Sequence, residues 1–171
     1  QPESTTYPSS SYWHDQLSAI KRVSSLFPDY KLLVKEHPKQ YLYDLRKRHF
    51  RSSSFYKFID QLPNVYLVDT DSSSADLLQN CVFVVSLHGS IIWESLSILK
   101  PILSFSNHIF SSCKLCVDSS TASSDLIFNQ IEDLLTSSEE IKRSYLNDFI
   151  SSSSSFLVCS GLNSKSLDIF F

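Results

Sequence analysis

The chain has 171 residues, 42% of them hydrophobic, and a formal charge of −3 from 15 basic and 18 acidic side chains. That length suits one globular domain with its own core, and the small, mixed charge excludes an electrostatic nucleic-acid binder. No apolar run reaches the roughly 18 residues needed to cross a bilayer, so at most a peripheral membrane contact is expected.

Residues 1–11, QPESTTYPSSS, are polar with two prolines and read as a linker. From Tyr12 to Phe27 the positions Leu17, Ile20, Val23, Ser24 and Phe27 recur at helical spacing. An apolar strand follows at Lys31 to Lys35. Residues 41–61 read as a helix in two pieces, broken around RSSS at 51–54. NVYLVDT (64–70) is the second strand, and a short helix is expected over 73–79, with Ser72 to Ser74 offering caps.

CVFVVSL (81–87) is the third strand, apolar on both faces, as a parallel strand covered on both sides would be. GSIIWESLSIL (89–99) predicts a helix, KPILSF (100–105) a fourth strand and KLCVD (114–118) a fifth. Two helices are expected over 123–135 and 138–150, the second announced by Ser137 and Ser138 ahead of Glu139 and Glu140. Strand and helix alternate about every 20 residues, so the expected fold is α/β, a Rossmann-like parallel sheet with flanking helices. The domain proper is expected over 12–150, and the serine-rich stretch 151–171 reads as a low-complexity tail.

Open parallel sheets bind ligands beyond the carboxyl ends of their strands. Four such ends carry polar groups: Lys35-Glu36-His37-Pro38, Asp69-Thr70-Asp71, Ser86 to Ser90, and Phe105 to His108. If the fold holds, they converge on one rim. Gly89 lets a backbone approach a ligand, and the amides of Ser90 and Ile91 then open a helix, where an anion is favoured. Glu94, one turn on, is placed to accept from sugar hydroxyls. The same residues also read as a tight turn, a cap and a solvated acid. His37 beside Lys35 reads either as a phosphate donor or as an ordinary strand exit, with Pro38 at a first helical turn. Asp69 and Asp71 read either as a base or ribose clamp, or as a turn and cap.

Cys113-Lys-Leu-Cys116 has CxxC spacing without a second pair, which argues for core or loop cysteines rather than a zinc ribbon or redox motif. The basic run DLRKRHFR (44–51) reads as a solvated face or a contact to a phosphate-rich ligand. Four scattered cysteines are too few for a disulfide scaffold. There is no Asn-x-Ser/Thr sequon, and the polar N-terminus lacks the apolar core of a signal peptide. A cytoplasmic protein is expected. The chain has only two glycines and no methionine, so a processed, excised or partial chain is expected as well.

Several segments share a pattern with one family: DQLSAIKRV, KLLVKEHPKQ, RSSSFYKFIDQLPNVYLVDTDSSSADLLQN and GSIIWESLSILKPILSFSN, in unbroken order over roughly residues 1–135. The chain resembles the C-terminal, donor-binding half of bacterial capsule and surface-polysaccharide glycosyltransferases with a GT-B fold, similar to the β-Kdo transferases. The resemblance implies a nucleotide-sugar donor, CMP-Kdo above all, and no other cofactor or metal. It gives His37 the donor phosphate, Pro38 the base and Lys35 the role of charge partner. Ser90 and the amides after Gly89 would hold phosphate or the donor carboxylate, with Ser86 and His88 also among the donor-binding residues. Glu94 would bind ribose or sugar hydroxyls, with Asp69, Asp71 and Asn107 as further contacts of that kind. In the family pattern a hydroxyl residue precedes the glycine where this chain has His88, and glycines stand near the positions of Ile92, Leu99 and Ser106. Transfer would need a glycan acceptor and an N-terminal GT-B domain in the same or a partner chain, at the inner face of the inner membrane. No catalytic residue is assigned. The scarce glycines, the serines and the apolar LDIFF tail are also what a degenerate, non-catalytic domain kept for assembly would show, and a UDP-sugar enzyme such as an epimerase is a third reading.

Overall fold

The computed structural model describes residues 16–36, 52–86, 89–106, 109–119 and 122–159, with the side chains of the last helix as far as Ser153. The linker at 1–11, the basic run 44–51, His37, Pro38, His88, Asn107 and the end of the tail lie outside these residues. Among the described residues there are six α-helices: α1 (Gln16–Leu26), α2 (Ser53–Asp60), α3 (Ser74–Asn80), α4 (Ile91–Ser97), α5 (Ser124–Thr136) and α6 (Glu139–Cys159). They are interleaved with five short strands: β1 (Leu32–Lys35), β2 (Val65–Val68), β3 (Val84–Ser86), β4 (Ile102–Ser104) and β5 (Cys116–Asp118). A 3-10 turn at Ile109–Ser112 precedes β5.

Every strand pairing is parallel. β1 lies along β2 with Leu32 opposite Val65, while β4 lies between β3 and β5 with Ile102 opposite Val84 and Cys116. The molecule is therefore mixed α/β, with one difference from the expectation of a single sheet: its strands form two small sheets, of two and three strands. The fully buried strand is also not the expected one. All three residues of β4 are buried, whereas β3, the more continuous apolar run, is buried only at Ser86. Position decides this, since β4 has a hydrogen-bonded neighbour on each side and β3 has one.

The helical stripe read in α1 is used twice. Ala19, Val23 and Phe27 enter the main core, with Ile92 and Leu96 of α4, β4, β5, Ile127 and Ile131 of α5 and Phe149 of α6. Leu17 and Ile20 pack instead on a second, smaller core of Phe55, Ile59 and Val65. Leu32 touches both. Phe27 anchors an aromatic group, with ring centroids 4.9 Å from Phe83, 5.6 Å from Phe128 and 5.8 Å from Tyr30.

Serine caps start α3 and α6 as expected, and α5 as well. Ser73 Oγ accepts from the Asp76 amide at 3.2 Å, Ser123 Oγ from Leu126 at 3.4 Å and Ser138 Oγ from Ile141 at 3.4 Å. α4 closes in a Schellman turn. The amide of Lys100 donates to Ser95 O at 2.9 Å and that of Leu99 to Leu96 O at 3.0 Å, while Leu99 takes φ 59°. Pro101 follows at once. Lys100 Nζ donates to Gln79 O at 3.0 Å and to Cys81 O, which ties the end of α3 to this turn.

Asn64 closes α1 from a distance. Its Nδ2 donates to Phe27 O at 2.9 Å, Tyr30 O at 3.1 Å and Ser24 O at 3.3 Å, and its Oδ1 accepts from Ser24 Oγ at 2.5 Å. Where the low-complexity tail was expected to begin, α6 instead runs on through Ser151 to Cys159. Its serines spend their hydroxyls on the helix itself: Ser144 donates to Ile141 O at 2.8 Å and Ser152 to Phe149 O at 2.9 Å.

Candidate functional site

The carboxyl ends of β1 and β2 are tied together by Lys35, whose Nζ donates to Thr70 O at 3.1 Å. The next residue, Glu36, is only 7% exposed and accepts from Tyr56 Oη of α2 at 2.8 Å. A short apolar strand with α2 packed against it leaves its exit partly covered, and the phenol supplies a donor that a buried carboxylate needs. Beyond β2, Asp69 Oδ1 accepts from the Asp71 amide at 3.2 Å, and Ser72 N donates to Asp69 O at 3.1 Å. Asp69 thus closes its own turn, the second of the two roles its sequence allowed, and Asp71 is exposed beside it.

The ends of β3, β4 and β5 are gathered by their ladder and lined with hydroxyls. Ser86, Ser104, Ser106 and Ser119 are all buried. Phe105 N donates to Ser86 O at 3.2 Å and Ser119 N to Ser104 O at 2.9 Å, so the ladder continues one step past each strand. Ser104 Oγ donates to Ser106 O at 2.9 Å and accepts from its amide at 3.3 Å. Ser119 Oγ, at 1% residue exposure, has no hydrogen-bond partner.

After β3 the chain passes Gly89, whose φ of +125° is one that L side chains rarely adopt. A Cβ built there would meet nothing within 4 Å, so the backbone faces open space, as a close-approach glycine would. Ser90 leads into α4 without using its hydroxyl as a cap, and the Ile92 amide turns back to Gly89 O at 3.3 Å. Ser90 and Glu94 are exposed.

The expected site residues therefore fall into two gathered sets among the described residues: Lys35, Asp69 and Asp71 at one pair of strand ends, and Ser86, Gly89, Ser90 and Glu94 at the other group. His37, Pro38, His88 and Asn107 lie outside them. Sequence reasoning gave Glu36 no role, although it stands between Lys35 and His37 in KEHP. It also passed over Ser104 and Ser119, which are indistinguishable in sequence from the many serines that cap and turn.

Cys113 and Cys116 lie in the main core as free thiols. Burial pushes both up, and Cys116 reaches about 12 with Cys113 and Asp118 nearby adding to the effect. A thiol held protonated in this way is not a nucleophile at neutral pH. Among the described residues no group of three or more His, Cys, Asp or Glu side chains is placed to hold a metal ion, and no helix is long and apolar enough to cross a membrane.

No family model, curated protein or solved structure matches the chain. One lysine, one buried acid, a glycine facing open space and a row of buried hydroxyls occupy the ends of parallel strands. Such a set suits a polar ligand rich in oxygen atoms.

Proposed function

We propose that the chain is the nucleotide-sugar-binding part of a glycosyltransferase of capsule or surface-polysaccharide synthesis, a Rossmann-like domain forming the C-terminal half of a GT-B fold and using a CMP-sugar such as CMP-Kdo. The observation that carries the reading is the collection of polar groups at the carboxyl ends of an all-parallel α/β arrangement, where open sheets take their ligands. The strands grow from β1 to β2 and then, after α3, from β3 through β4 to β5. The exits of β1 and β3 are KEHP and SLHGS. The family resemblance selects the same two segments for the donor.

In this reading Lys35 and His37 meet the donor phosphate and Pro38 the base. Ser86, His88, Gly89 and Ser90 receive phosphate or carboxylate, and Glu94 receives hydroxyls. Asp71 and Asn107 are the further sugar contacts, with Asp69 shaping the turn between β2 and Asp71. Preorganised donors of this kind stabilise a departing phosphate. Transfer itself belongs to the assembly with an N-terminal domain and a glycan acceptor, at the cytoplasmic face of a membrane.

A second reading, a degenerate domain retained for assembly, is favoured by Ile92 and Ser106. Both are 1% exposed, and they fill with side chains the positions near which the family pattern has glycine.

Thermal unfolding of the purified chain with millimolar CMP, UDP, GDP and ADP tests these readings. A nucleotide at 100 times its Kd adds about 2.7 kcal/mol, several degrees for a domain of this size. Stabilisation by CMP that disappears in His37→Ala is expected. A shift with UDP alone points to the epimerase class, and no shift with any nucleotide favours the degenerate domain.

A further inference from the structure

We propose that Ser119 is a ligand-contacting residue of this site, its hydroxyl donating to an oxygen of the bound nucleotide; the inference rests on the function proposed above. Ser119 is the first residue beyond β5, set beside Ser104 by its own amide, which donates to Ser104 O at 2.9 Å. The two serines occupy neighbouring places at the same sheet end and differ in one respect. Ser104 spends its hydroxyl inside the protein, on Ser106 O at 2.9 Å. Ser119 has a hydroxyl just as buried and no acceptor for it.

A buried donor left unmade destabilises the fold, and alanine in the same place would avoid that loss. An oxygen from a bound molecule would complete the pairing. The ligand class follows from the chemistry. The group is a neutral donor, so it takes a ribose hydroxyl or a phosphate oxygen, both of which a nucleotide carries.

The experiment compares wild type, Ser119→Ala and Ser104→Ala by thermal unfolding without ligand and by titration calorimetry with CMP and with cytidine. Ser119→Ala is expected to raise the ligand-free midpoint by about 2–4 °C, the shift that corresponds to one lost unsatisfied group in a chain this long, whereas Ser104→Ala lowers it. Ser119→Ala is also expected to bind CMP roughly tenfold more weakly. A loss confined to CMP assigns the phosphate, and a loss shared with cytidine assigns the ribose. A lowered midpoint for Ser119→Ala, or a variant that does not fold, overturns the proposal by showing the hydroxyl already paired in the empty protein. An unchanged Kd for CMP in a variant that folds overturns the contact but leaves the function standing. Wild type that binds neither CMP nor cytidine overturns the function and the contact together.

Discussion

Replacing Leu99 by glycine and, separately, by alanine tests the left-handed turn that closes α4. An L-residue in that region is disfavoured by about 1–2 kcal/mol, and glycine is not. Where no such strain exists the order reverses: alanine is the more stable by about 0.4–1 kcal/mol, because it narrows the unfolded ensemble. Both substitutions remove the leucine side chain, which packs partly buried against the main core, so that loss cancels between them. Wild type is expected to stay above both, since burying a leucine contributes about 1.5–3 kcal/mol. What remains is a glycine advantage of about 1 kcal/mol at position 99, read as a gap of about 2–4 °C or an equivalent shift in urea midpoint. The same pair at Ser97, exposed in the last turn of α4, supplies the reference, because there alanine should win by about 0.5–1 kcal/mol. Equal stabilities at position 99, or alanine ahead of glycine, would refute a strained Schellman turn.

Asn64→Ala removes the amide that serves the carbonyls of Phe27, Tyr30 and Ser24, and a loss of about 2–3 kcal/mol is expected by urea unfolding. Asn64→Asp keeps the shape but points a carboxylate at those carbonyls, so it should cost more than alanine; a milder aspartate would sink the assignment. The Cys116 thiol, held up at about 12 by burial and its neighbours, gives a pH signature. Below about pH 9 both states keep the proton. Above it the unfolded chain loses a proton that the folded chain retains, so stability should fall between about pH 9 and 12, by up to about 1.4 kcal/mol per pH unit. Urea midpoints from pH 7.5 to 10 should decline less steeply in Cys116→Ala than in wild type, and parallel curves would show that the thiol titrates normally.

The period-3.6 and strand signals were legible because they are local. Leu17, Ile20, Val23 and Phe27 read as one face, and they are one, although the sequence could not divide that face between two cores. The serine caps at 73 and 138 were legible for the same reason. Other features depend on distant partners. Asn64 looks like a turn residue after Pro63, and its work on three carbonyls of a segment more than 30 residues away has no local trace. Leu99 hides its left-handed backbone behind a helix-forming side chain; the Lys100-Pro101 stop and the glycine of the family pattern were the available hints. At the site, Lys35, His37 and Gly89 at strand exits stood out, while Glu36, Ser104 and Ser119 did not, because burial is set by packing rather than by residue type.

The division of α1 between two cores has a dynamic consequence. The smaller core holds three buried residues among those described, Phe55, Ile59 and Val65, against sixteen in the larger. Units of such unequal size open at different free energies. Backbone amides of Val65–Val68 should therefore exchange with deuterated solvent well before those of Ile102–Ser104. Of the two sets of strand ends, the one carrying Lys35 and Glu36 is then the softer and the one made of serines the stiffer. A molecule bound at the softer set would slow exchange along β2 without needing to touch it along its length.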